Sequence, residues 1–294
     1  MGKPLAEVEI DPAMAHRLVL AQHPDLAHLA VVAVGSGWDN AMFRLGDNLA
    51  LRFPRRETAA KLLLNEQRWL PHLCGRLPLA VPVPVHIGAP QHGYPWPWSI
   101  TPWIEGETAD VSQPDEHQGE VLAGFFEALH QPAPADAPFN SFRGVPLAER
   151  AAAFEDRVSE LSGKTDMIDR RVRSLWEDAL GATAEVAPTW IHGDPHPRNV
   201  LVVAGRFSGV IDWGDMAQGD RAADLAAIWM LLPQLKSRER AMAACSSVPS
   251  DTWRRARGWA VLYAVILLRA GLSNDPRMYL IAQRTVQRLL EGPR

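Results

Sequence analysis

Three features are scarce in this sequence of 294 residues: cysteine, lysine and long apolar runs. The two cysteines, Cys74 and Cys245, stand in no metal-ligand or redox spacing, and this usage is typical of buried, inert thiols in a reducing cytoplasm. The longest apolar run, 259–268, is too short to span a bilayer and predicts a buried helix. Residues 1–10 contain no apolar segment of the secretory type. We therefore expect a soluble, cytoplasmic protein without a membrane partner.

Positive charge is also limited, and most of it belongs to one residue type. The formal net charge is −4, whereas a nucleic-acid-binding protein usually carries a basic face, so we expect no nucleic-acid partner. Only four of the 30 basic residues are lysine, so arginine must supply nearly every fixed positive charge. The hydrophobic fraction of 47% is ordinary for a globular protein, and the length is sufficient for two lobes.

The first hundred residues predict a small lobe that is rich in β structure. Asp11 and Pro12 indicate the start of an opening helix that continues to Gln22. A longer helix is predicted over residues 57–73. Short runs with strand character, bounded by glycine and proline turns, occur at 30–34, 40–45, 49–53, 83–87 and 98–101.

Beyond residue 102 the pattern changes to one of helices. Apolar residues recur at helical spacing over 121–129, 147–161, 168–180, 225–232, 253–270 and 278–290. Only residues 200–212 are expected to interrupt these helices with β structure. The sequence thus predicts an α+β chain with an N-terminal lobe over 1–102 and a mainly helical C-terminal lobe over 103–294. The hinge between them is expected at about 101–106.

The segment 190–215, WIHGDPHPRNVLVVAGRFSGVIDWGD, contains the residues best suited to chemistry. Two runs with strand character, 200–203 and 207–211, lie on either side of Gly205-Arg206. A glycine in the first position of a two-residue loop favours a type II′ hairpin turn. We therefore predict a hairpin at this point.

The register of that hairpin suggests a metal site. If Ala204 pairs with Phe207, Asn199 lies directly opposite Asp212, and cross-strand neighbours have Cβ atoms about 4.5–5.5 Å apart. An amide oxygen and a carboxylate oxygen at that separation suit Mg²⁺, which keeps waters and substrate phosphates as its other ligands. We predict that Asn199 and Asp212 bind magnesium.

Asp194 precedes Asn199 by five residues, in a loop that Pro195 and Pro197 make rigid. This position places a second carboxylate near the metal but outside the hairpin. It is suited to orienting an attacking hydroxyl and accepting its proton, as in phosphoryl transfer. His192 is expected to fix the loop by hydrogen bonding rather than to take part in the chemistry.

These motifs resemble those of the aminoglycoside phosphotransferase family, the antibiotic-kinase branch of the protein-kinase-like fold. The resemblance rests on His-Gly-Asp at 192–194, Asn199, and Ile-Asp-Trp-Gly-Asp at 211–215, and it extends over almost the whole chain. It implies a bilobal kinase fold, Mg²⁺, ATP or GTP as phosphoryl donor, and a small-molecule hydroxyl as acceptor. By the same resemblance Asp194 is the catalytic base, and Asp224 braces its loop.

The resemblance also assigns nucleotide-binding residues in the N-terminal lobe. Gly35, Ser36 and Gly37 fall where the phosphate-covering loop is expected, although the third glycine of the usual pattern is absent. The backbones of Trp103 and Ile104, at the hinge, would meet the nucleotide base.

Arg52 stands on the third strand, where protein kinases have a lysine. An arginine holds phosphate oxygens through a planar fork, and similar arginines occur in macrolide-kinase-like members of the family. Glu66, at the position of the kinase helix glutamate, interrupts the apolar face of its own helix and needs a partner. Arg52 is the natural candidate. An ordinary ion pair without a catalytic role remains the alternative.

The acceptor is the least determined part of this hypothesis. An aminoglycoside or a macrolide antibiotic is the first expectation, and a metabolite of the homoserine, choline or sugar type is the alternative. Asp215 and Asp220 are candidates for lining the acceptor site, but a solvated face is an equal interpretation. The sequence does not decide between ATP and GTP.

Two other classes of protein stay open. The first is a catalytically silent kinase fold that binds a nucleotide without turnover. The second is a metallohydrolase with His192, Asp194, His196 and Asp212 as metal ligands, since His-x-Asp-x-His is suggestive of zinc or iron. That second interpretation leaves Asn199 unexplained.

Overall fold

A computed structural model describes residues 4–184 and 187–291, except for the side chain of Ser36. The chain divides into two compact units. The first unit comprises the described residues up to Arg76 together with Ala80–Glu105, and the second comprises Leu77–Leu79 and the described residues from Gly106 onward. The change from one unit to the other falls within the predicted hinge at 101–106. That the first lobe binds the nucleotide and the second carries the catalytic and acceptor-binding residues stays a prediction.

The first unit is built on one antiparallel sheet, with strand order β1-β2-β3-β5-β4. Its strands are β1 (Val31–Ser36), β2 (Asn40–Leu45), β3 (Leu49–Pro54), β4 (His86–Gly88) and β5 (Trp98–Pro102). The predicted strands are therefore confirmed, with shifts of a few residues at their ends. The largest shift is at β4, where prolines in 81–84 delay the strand.

Two helices accompany this sheet, and both confirm the prediction. In α1 (Pro12–Gln22) the Asp11 carboxylate caps the helix by accepting a hydrogen bond of 2.7 Å from the Met14 N–H. The long helix α2 (Glu57–Leu73) has the predicted bounds. Apolar side chains of α1 pack on one face of the sheet in a core of buried residues that includes Leu18, Phe53 and Trp98.

The second unit is mainly helical, which confirms the α+β class. Its helices are α3 (Gln118–Leu129), α4 (Ala151–Leu161), α5 (Arg170–Leu180), α6 (Ala222–Leu225), α7 (Ala227–Leu231), α8 (Leu235–Ala244), α9 (Ser250–Leu272) and α10 (Pro276–Leu290). The helix predicted over 225–232 is in fact two short ones, α6 and α7. Helix α8 was not predicted, because five of its ten residues, 236–240, are polar or charged.

The prediction that only residues 200–212 form β structure in this unit was wrong. The hairpin is present as β8 (Val200–Val203) and β9 (Arg206–Val210), but the unit contains three shorter strands as well: β6 (Glu107–Thr108), β7 (Thr189–Ile191) and β10 (Ala217–Gly219). β6 pairs with β8, and β7 pairs with β10. Strands of two or three residues are too short to show an alternating pattern.

The described residues include no helix that is both long and apolar enough to cross a membrane.

Candidate active site

The loop that carries Asp194 is held by a buried carboxylate from α6. Asp224, which is fully buried, accepts hydrogen bonds from the backbone N–H groups of His192 (2.7 Å) and Gly193 (2.9 Å). Its Oδ2 also lies 3.2 Å from Nε2 of His130. Because one carboxylate satisfies two consecutive amides, the start of the loop has a defined conformation. This is the bracing role that the resemblance implies.

His192 has hydrogen-bond partners at both ring nitrogens. Nδ1 accepts the Asp194 N–H at 3.2 Å, so Nε2 carries the proton and donates it to the carbonyl of Ile211 at 3.0 Å. The ring thus ties the loop to the end of β9, as expected, and offers no nitrogen to a metal. Within 4–184 and 187–291 there is also no group of three or more His, Cys, Asp or Glu side chains arranged to hold a metal ion. His192 is therefore not available to the ligand set of the metallohydrolase alternative.

Asp194 lies in a largely buried, positively charged environment. Its Oδ1 is 3.1 Å from Nη2 of Arg143, and its Oδ2 is 3.6 Å from Nε2 of His196. Burial acts to raise the pKa of Asp194, but the charge of Arg143 outweighs it and leaves the pKa below its usual value. Asp194 is therefore ionised at neutral pH, the state that a proton acceptor requires.

The hairpin register differs from the predicted one. The turn residues are Ala204 and Gly205, with φ values of 47° and 76°, and two positive φ angles are the mark of a type I′ turn rather than type II′. Val203 pairs with Arg206, and the register shifts between Leu201 and Val202. The turn thus begins one residue earlier than expected, because Ala204 adopts the left-handed conformation.

As a consequence, the prediction that Asn199 lies directly opposite Asp212 was wrong. The N–H of Ile211 donates to the carbonyl of Asn199 at 2.8 Å, so Ile211 is the opposing residue and Asp212 follows it. Asp212 has a φ of 61°, a conformation uncommon for residues other than glycine. Such strain is concentrated at functional sites.

The donor set at this point still suits a hard cation. The Asn199 side chain is directed by a hydrogen bond of 2.9 Å from its Nδ2 to the backbone carbonyl of Asp194, which leaves Oδ1 for a ligand. Together with the Asp212 carboxylate it would offer the oxygen ligands that Mg²⁺ prefers. Magnesium binding by these two residues stays a prediction.

Arg143, a residue that the sequence did not point to, connects the two acidic groups of the site. It lies in the loop before α4, with its guanidinium 3.1 Å from Asp194, 3.8 Å from Oδ2 of Asp215 and 4.8 Å above the ring centre of Tyr263. The Tyr263 hydroxyl donates to the carbonyl of Gly193 at 2.8 Å. A single arginine in a loop 51 residues before its partner has no sequence signal.

Asp215 lies in this group, whereas Asp220 does not. Asp215 accepts a hydrogen bond of 2.8 Å from Nδ2 of Asn140, and burial, together with the charge of Asp194, raises its pKa against the opposing charge of Arg143. Asp220 makes a buried ion pair with Arg255 at 2.6 Å, which rules out a solvated face for Asp220. A place for either residue in an acceptor site stays a prediction.

In the first unit the expected pair of Arg52 and Glu66 is present. Arg52 is 5% exposed and Glu66 is 1% exposed. Nη2 of Arg52 donates to Oε1 of Glu66 at 2.9 Å, and Nη1 donates to Oε2. This two-pronged contact between β3 and α2 confirms the predicted partner. A contact between Arg52 and phosphate stays a prediction.

The remaining nucleotide-binding candidates also lie in the first unit. Gly35 has a φ of 147° at an irregular point of β1, and the Gly37 N–H donates to the carbonyl of Asn40 at 2.8 Å. The Ser36 side chain lies outside the described part of the chain. The N–H of Trp103 donates to the carbonyl of Asn48 at 2.8 Å. The backbone N–H of Trp103 is thus engaged, and its carbonyl is the backbone group that would meet a nucleotide base. The contact of the Ile104 backbone with the base stays a prediction.

Comparison with known proteins identifies the family of this chain. Residues 30–259 match the model of a family described as the phosphotransferase enzyme family. An aminoglycoside 3′-phosphotransferase of Escherichia coli is 29% identical over 156 residues, which cover 48% of this chain and 56% of that protein. A thiamine kinase of Escherichia coli O1:K1 is 28% identical over 193 residues, 64% of each chain. The alignments thus span about half to two thirds of these curated relatives.

Solved structures resemble nearly the whole chain. The GDP complex of an aminoglycoside 2′-phosphotransferase-IIIa has a TM-score of 0.68 at 18% identity and covers 95% of this chain and 99% of its own. A macrolide 2′-phosphotransferase from Brachybacterium faecium has a TM-score of 0.60 at 19% identity and covers 97% of this chain and 99% of its own. At these identities the likeness shows the fold, and it confirms the expected kinase-like fold.

Proposed function

Because the chain belongs to the phosphotransferase enzyme family, we propose that it is a magnesium-dependent kinase. It transfers the γ-phosphoryl group of ATP or GTP to a hydroxyl of a small molecule. The observation that carries the proposal is the environment of Asp194: an ionised carboxylate, on a loop braced by Asp224, whose backbone carbonyl holds the side chain of Asn199. Spacing and bracing of this kind suit in-line phosphoryl transfer.

The mechanism assigns one task to each group. Asp194 orients the acceptor hydroxyl and takes its proton. The acceptor oxygen attacks the γ-phosphorus, and the bond from that phosphorus to the β–γ bridging oxygen breaks, so that the nucleoside diphosphate leaves. Asn199 and Asp212 would hold magnesium, which supplies charge neutralisation for the triphosphate. Arg52, oriented by Glu66, binds phosphate oxygens.

Two acceptor classes are supported by different observations. Relatives named as aminoglycoside and macrolide phosphotransferases favour an antibiotic hydroxyl. Relatives named as thiamine kinases favour a metabolite, and so does Arg143, because its guanidinium already occupies the space beside Asp194 and Asp215 that a cationic antibiotic would need. The metabolite is therefore the second candidate.

The test is a transfer assay with a catalytic variant. Purified protein is incubated with Mg²⁺, with ATP or GTP, and with kanamycin, erythromycin, thiamine or glucose, and product mass is measured. We expect an acceptor to gain about 80 Da, the mass of one phosphoryl group. Asp194→Asn should lower kcat by about 10²–10⁴-fold, the usual contribution of a general base, while nucleotide affinity stays close to that of the wild type.

Asp166→Asn provides the control, since Asp166 is an exposed aspartate of the same unit. It should leave turnover unchanged. If no acceptor gains mass and no nucleotide binds in the presence of Mg²⁺, the proposed activity is wrong. If a folded Asp194→Asn variant retains full turnover, the role given to Asp194 is wrong.

A further inference from the structure

Arg150 is a buried arginine whose guanidinium has no hydrogen-bond acceptor or ion-pair partner among the described residues. It ends a 3₁₀ turn (Leu147–Arg150) and is only 9% exposed, and its side chain makes no hydrogen bond or ion pair with any residue in 4–184 or 187–291. Its Nε is enclosed and has no acceptor. An enclosed N–H of a charged group without an acceptor is unfavourable, since its lost hydration is not replaced.

The other buried arginines of the second unit all have partners. Arg255 pairs with Asp220 at 2.6 Å, and Arg238 pairs with Glu291 at 2.6 Å. Arg288 donates to the backbone carbonyl of Met230 at 2.6 Å. Arg150 therefore differs from the other buried arginines of this unit, whose guanidinium groups contact a carboxylate or a carbonyl, and its missing acceptor needs an explanation.

The surroundings of Arg150 add positive charge rather than neutralise it. Burial lowers the pKa of Arg150, and the charges of Arg157 and Arg143 lower it further, while only Tyr263 acts in the opposite direction. Nearby carboxylates are already engaged: Glu160 contacts Arg269, and Asp194 contacts Arg143. We call Arg143, Arg150 and Arg157 the arginine cluster; no described carboxylate contacts Arg150.

This arginine cluster lies next to the candidate catalytic base. Arg143 belongs to both groups, because its guanidinium contacts Asp194 and also lies above the ring of Tyr263, whose hydroxyl holds the carbonyl of Gly193. The guanidinium of Arg150 lies 5.3 Å from the ring centre of Phe142, an aromatic side chain that is 62% exposed. An anion on Arg150 would therefore sit on the side of the unit where the acceptor hydroxyl must approach.

We propose that Arg150, with Arg143 and Arg157, forms an oxyanion-binding site for a carboxylate or phosphate group of the acceptor. The ligand's oxygens would supply the hydrogen bonds that Arg150 lacks, in the two-pronged geometry that a guanidinium favours. The identification of the ligand as an acceptor rests on the proposed kinase activity, whereas the anion site itself does not. An acidic alcohol is then preferred to a polycation, which the same charges repel.

The first experiment measures anion binding without turnover. Inorganic phosphate and sulfate are titrated calorimetrically into the protein saturated with Mg²⁺ and a non-hydrolysable ATP analogue, so that the nucleotide site is filled. We expect Arg150→Gln to weaken the binding of both anions at least about tenfold, as the loss of a hydrogen bond to a charged group does. Arg171→Gln, which removes an exposed arginine of α5, is the matched control and should bind both anions like the wild type.

A stability measurement separates a binding role from a structural one. Without added anions, Arg150→Gln should have the melting temperature of the wild type or a higher one, because an unpaired buried charge has been removed. Arg150→Gln with a melting temperature several degrees lower and unchanged anion affinity would show a structural role and overturn the proposal. Equal anion affinity in the wild type and in a stable Arg150→Gln would overturn it as well.

The second experiment compares acceptors that differ in one acidic group. Glucose, gluconate, glucose 6-phosphate and kanamycin are tested separately as acceptors in the transfer assay. Gluconate carries a carboxylate and glucose 6-phosphate a phosphate, so their KM values distinguish the two anionic groups. We expect a lower KM for an acidic acceptor, and we expect Arg150→Gln to raise that KM at least about tenfold with little change in kcat. If kanamycin is the best acceptor and its KM does not respond to Arg150→Gln, the assignment of the bound anion to the acceptor is wrong and the kinase stands. If Arg150→Gln loses anion binding but no acceptor is phosphorylated, the kinase is wrong and the oxyanion site stands.

Discussion

At the scale of single residues, arginine carries most of the positive charge of this protein. The pair of Arg52 and Glu66 is a buried ion pair of the first unit, and it joins β3 to α2. A buried ion pair is weak evidence for stability, because desolvation offsets the attraction between the charges. Stability alone therefore does not explain the pair, and a comparison of stability with function decides whether Arg52 serves the binding of phosphate.

We expect Arg52→Met to lower the free energy of unfolding by about 3–5 kcal/mol, because Glu66 would remain buried without its counter-ion. The double variant Arg52→Met/Glu66→Leu removes both charges and should recover most of that loss. Urea denaturation of the wild type, both single variants and the double variant completes the cycle.

The same double variant tests the role in catalysis. If Arg52 binds phosphate, the double variant should be stable and yet have a KM for ATP at least about tenfold higher, from the loss of a charged hydrogen bond. A stable double variant with unchanged ATP kinetics would show that the pair is an ordinary ion pair.

At the scale of elements, the long helix α9 depends on close contact with its neighbours. A Cβ at Gly258 would come within 2.4 Å of Cβ of Ala179 on α5 and within 2.5 Å of Cδ2 of Leu147. The absence of a side chain therefore allows α9 and α5 to approach. Tyr263, five residues further along α9, is thereby positioned to hold the loop of Asp194.

This packing leads to opposite expectations for two glycines in helices. Gly258→Ala should lower the free energy of unfolding by about 1–3 kcal/mol, because overpacking outweighs the helical preference of alanine. Gly124→Ala, in α3, adds a methyl group with no atom within 4 Å, and it should raise the free energy by about 0.5–1 kcal/mol. Chemical denaturation measures both. Equal effects of the two substitutions would mean that α9 and α5 are not closely packed at Gly258.

The hairpin of β8 and β9 shows how a local rule leads to a wrong register. The preference of glycine for the first turn position favoured Gly205-Arg206, but the chain places Ala204 and Gly205 in the turn. The register shift between Leu201 and Val202 then brings Ile211 opposite Asn199. The two residues at the shift, Leu201 and Val202, also pair with β6 at the other edge of β8, and the hairpin sequence carries no signal for that pairing.

At the scale of the whole molecule, the proposed activity requires that a nucleotide binds together with magnesium. We expect Mg²⁺ with a non-hydrolysable ATP analogue, at about 100 times its Kd, to stabilise the protein by about 2.7 kcal/mol. For a chain of this length the melting temperature should rise by about 5 °C. Thermal unfolding with and without EDTA measures the dependence on the metal.

Asp212→Asn supplies the residue control for this measurement. In this variant, EDTA should change the melting temperature of the nucleotide-bound protein much less than in the wild type, because an amide is a weaker ligand for Mg²⁺ than a carboxylate. Asp166→Asn should behave like the wild type. A thermal shift that is the same with and without EDTA would contradict magnesium-dependent binding.

Features encoded within a few neighbouring residues could be predicted from the sequence alone. The bounds of α2 follow from one apolar face and a turn at each end, and the cap of α1 follows from Asp11 and Pro12. The spacing of Asp194, Asn199 and Asp212 is the local signal on which the proposed chemistry rests. These signals are local, so they survive without knowledge of the rest of the chain.

Only the tertiary structure decided which charges meet and which stay alone. The contact of Arg143 with Asp194 crosses 51 residues, and the missing partner of Arg150 is a property of its whole surroundings. Neither feature follows a periodic pattern or a motif of the sequence. Each depends on how a loop packs against a helix that is distant in the sequence.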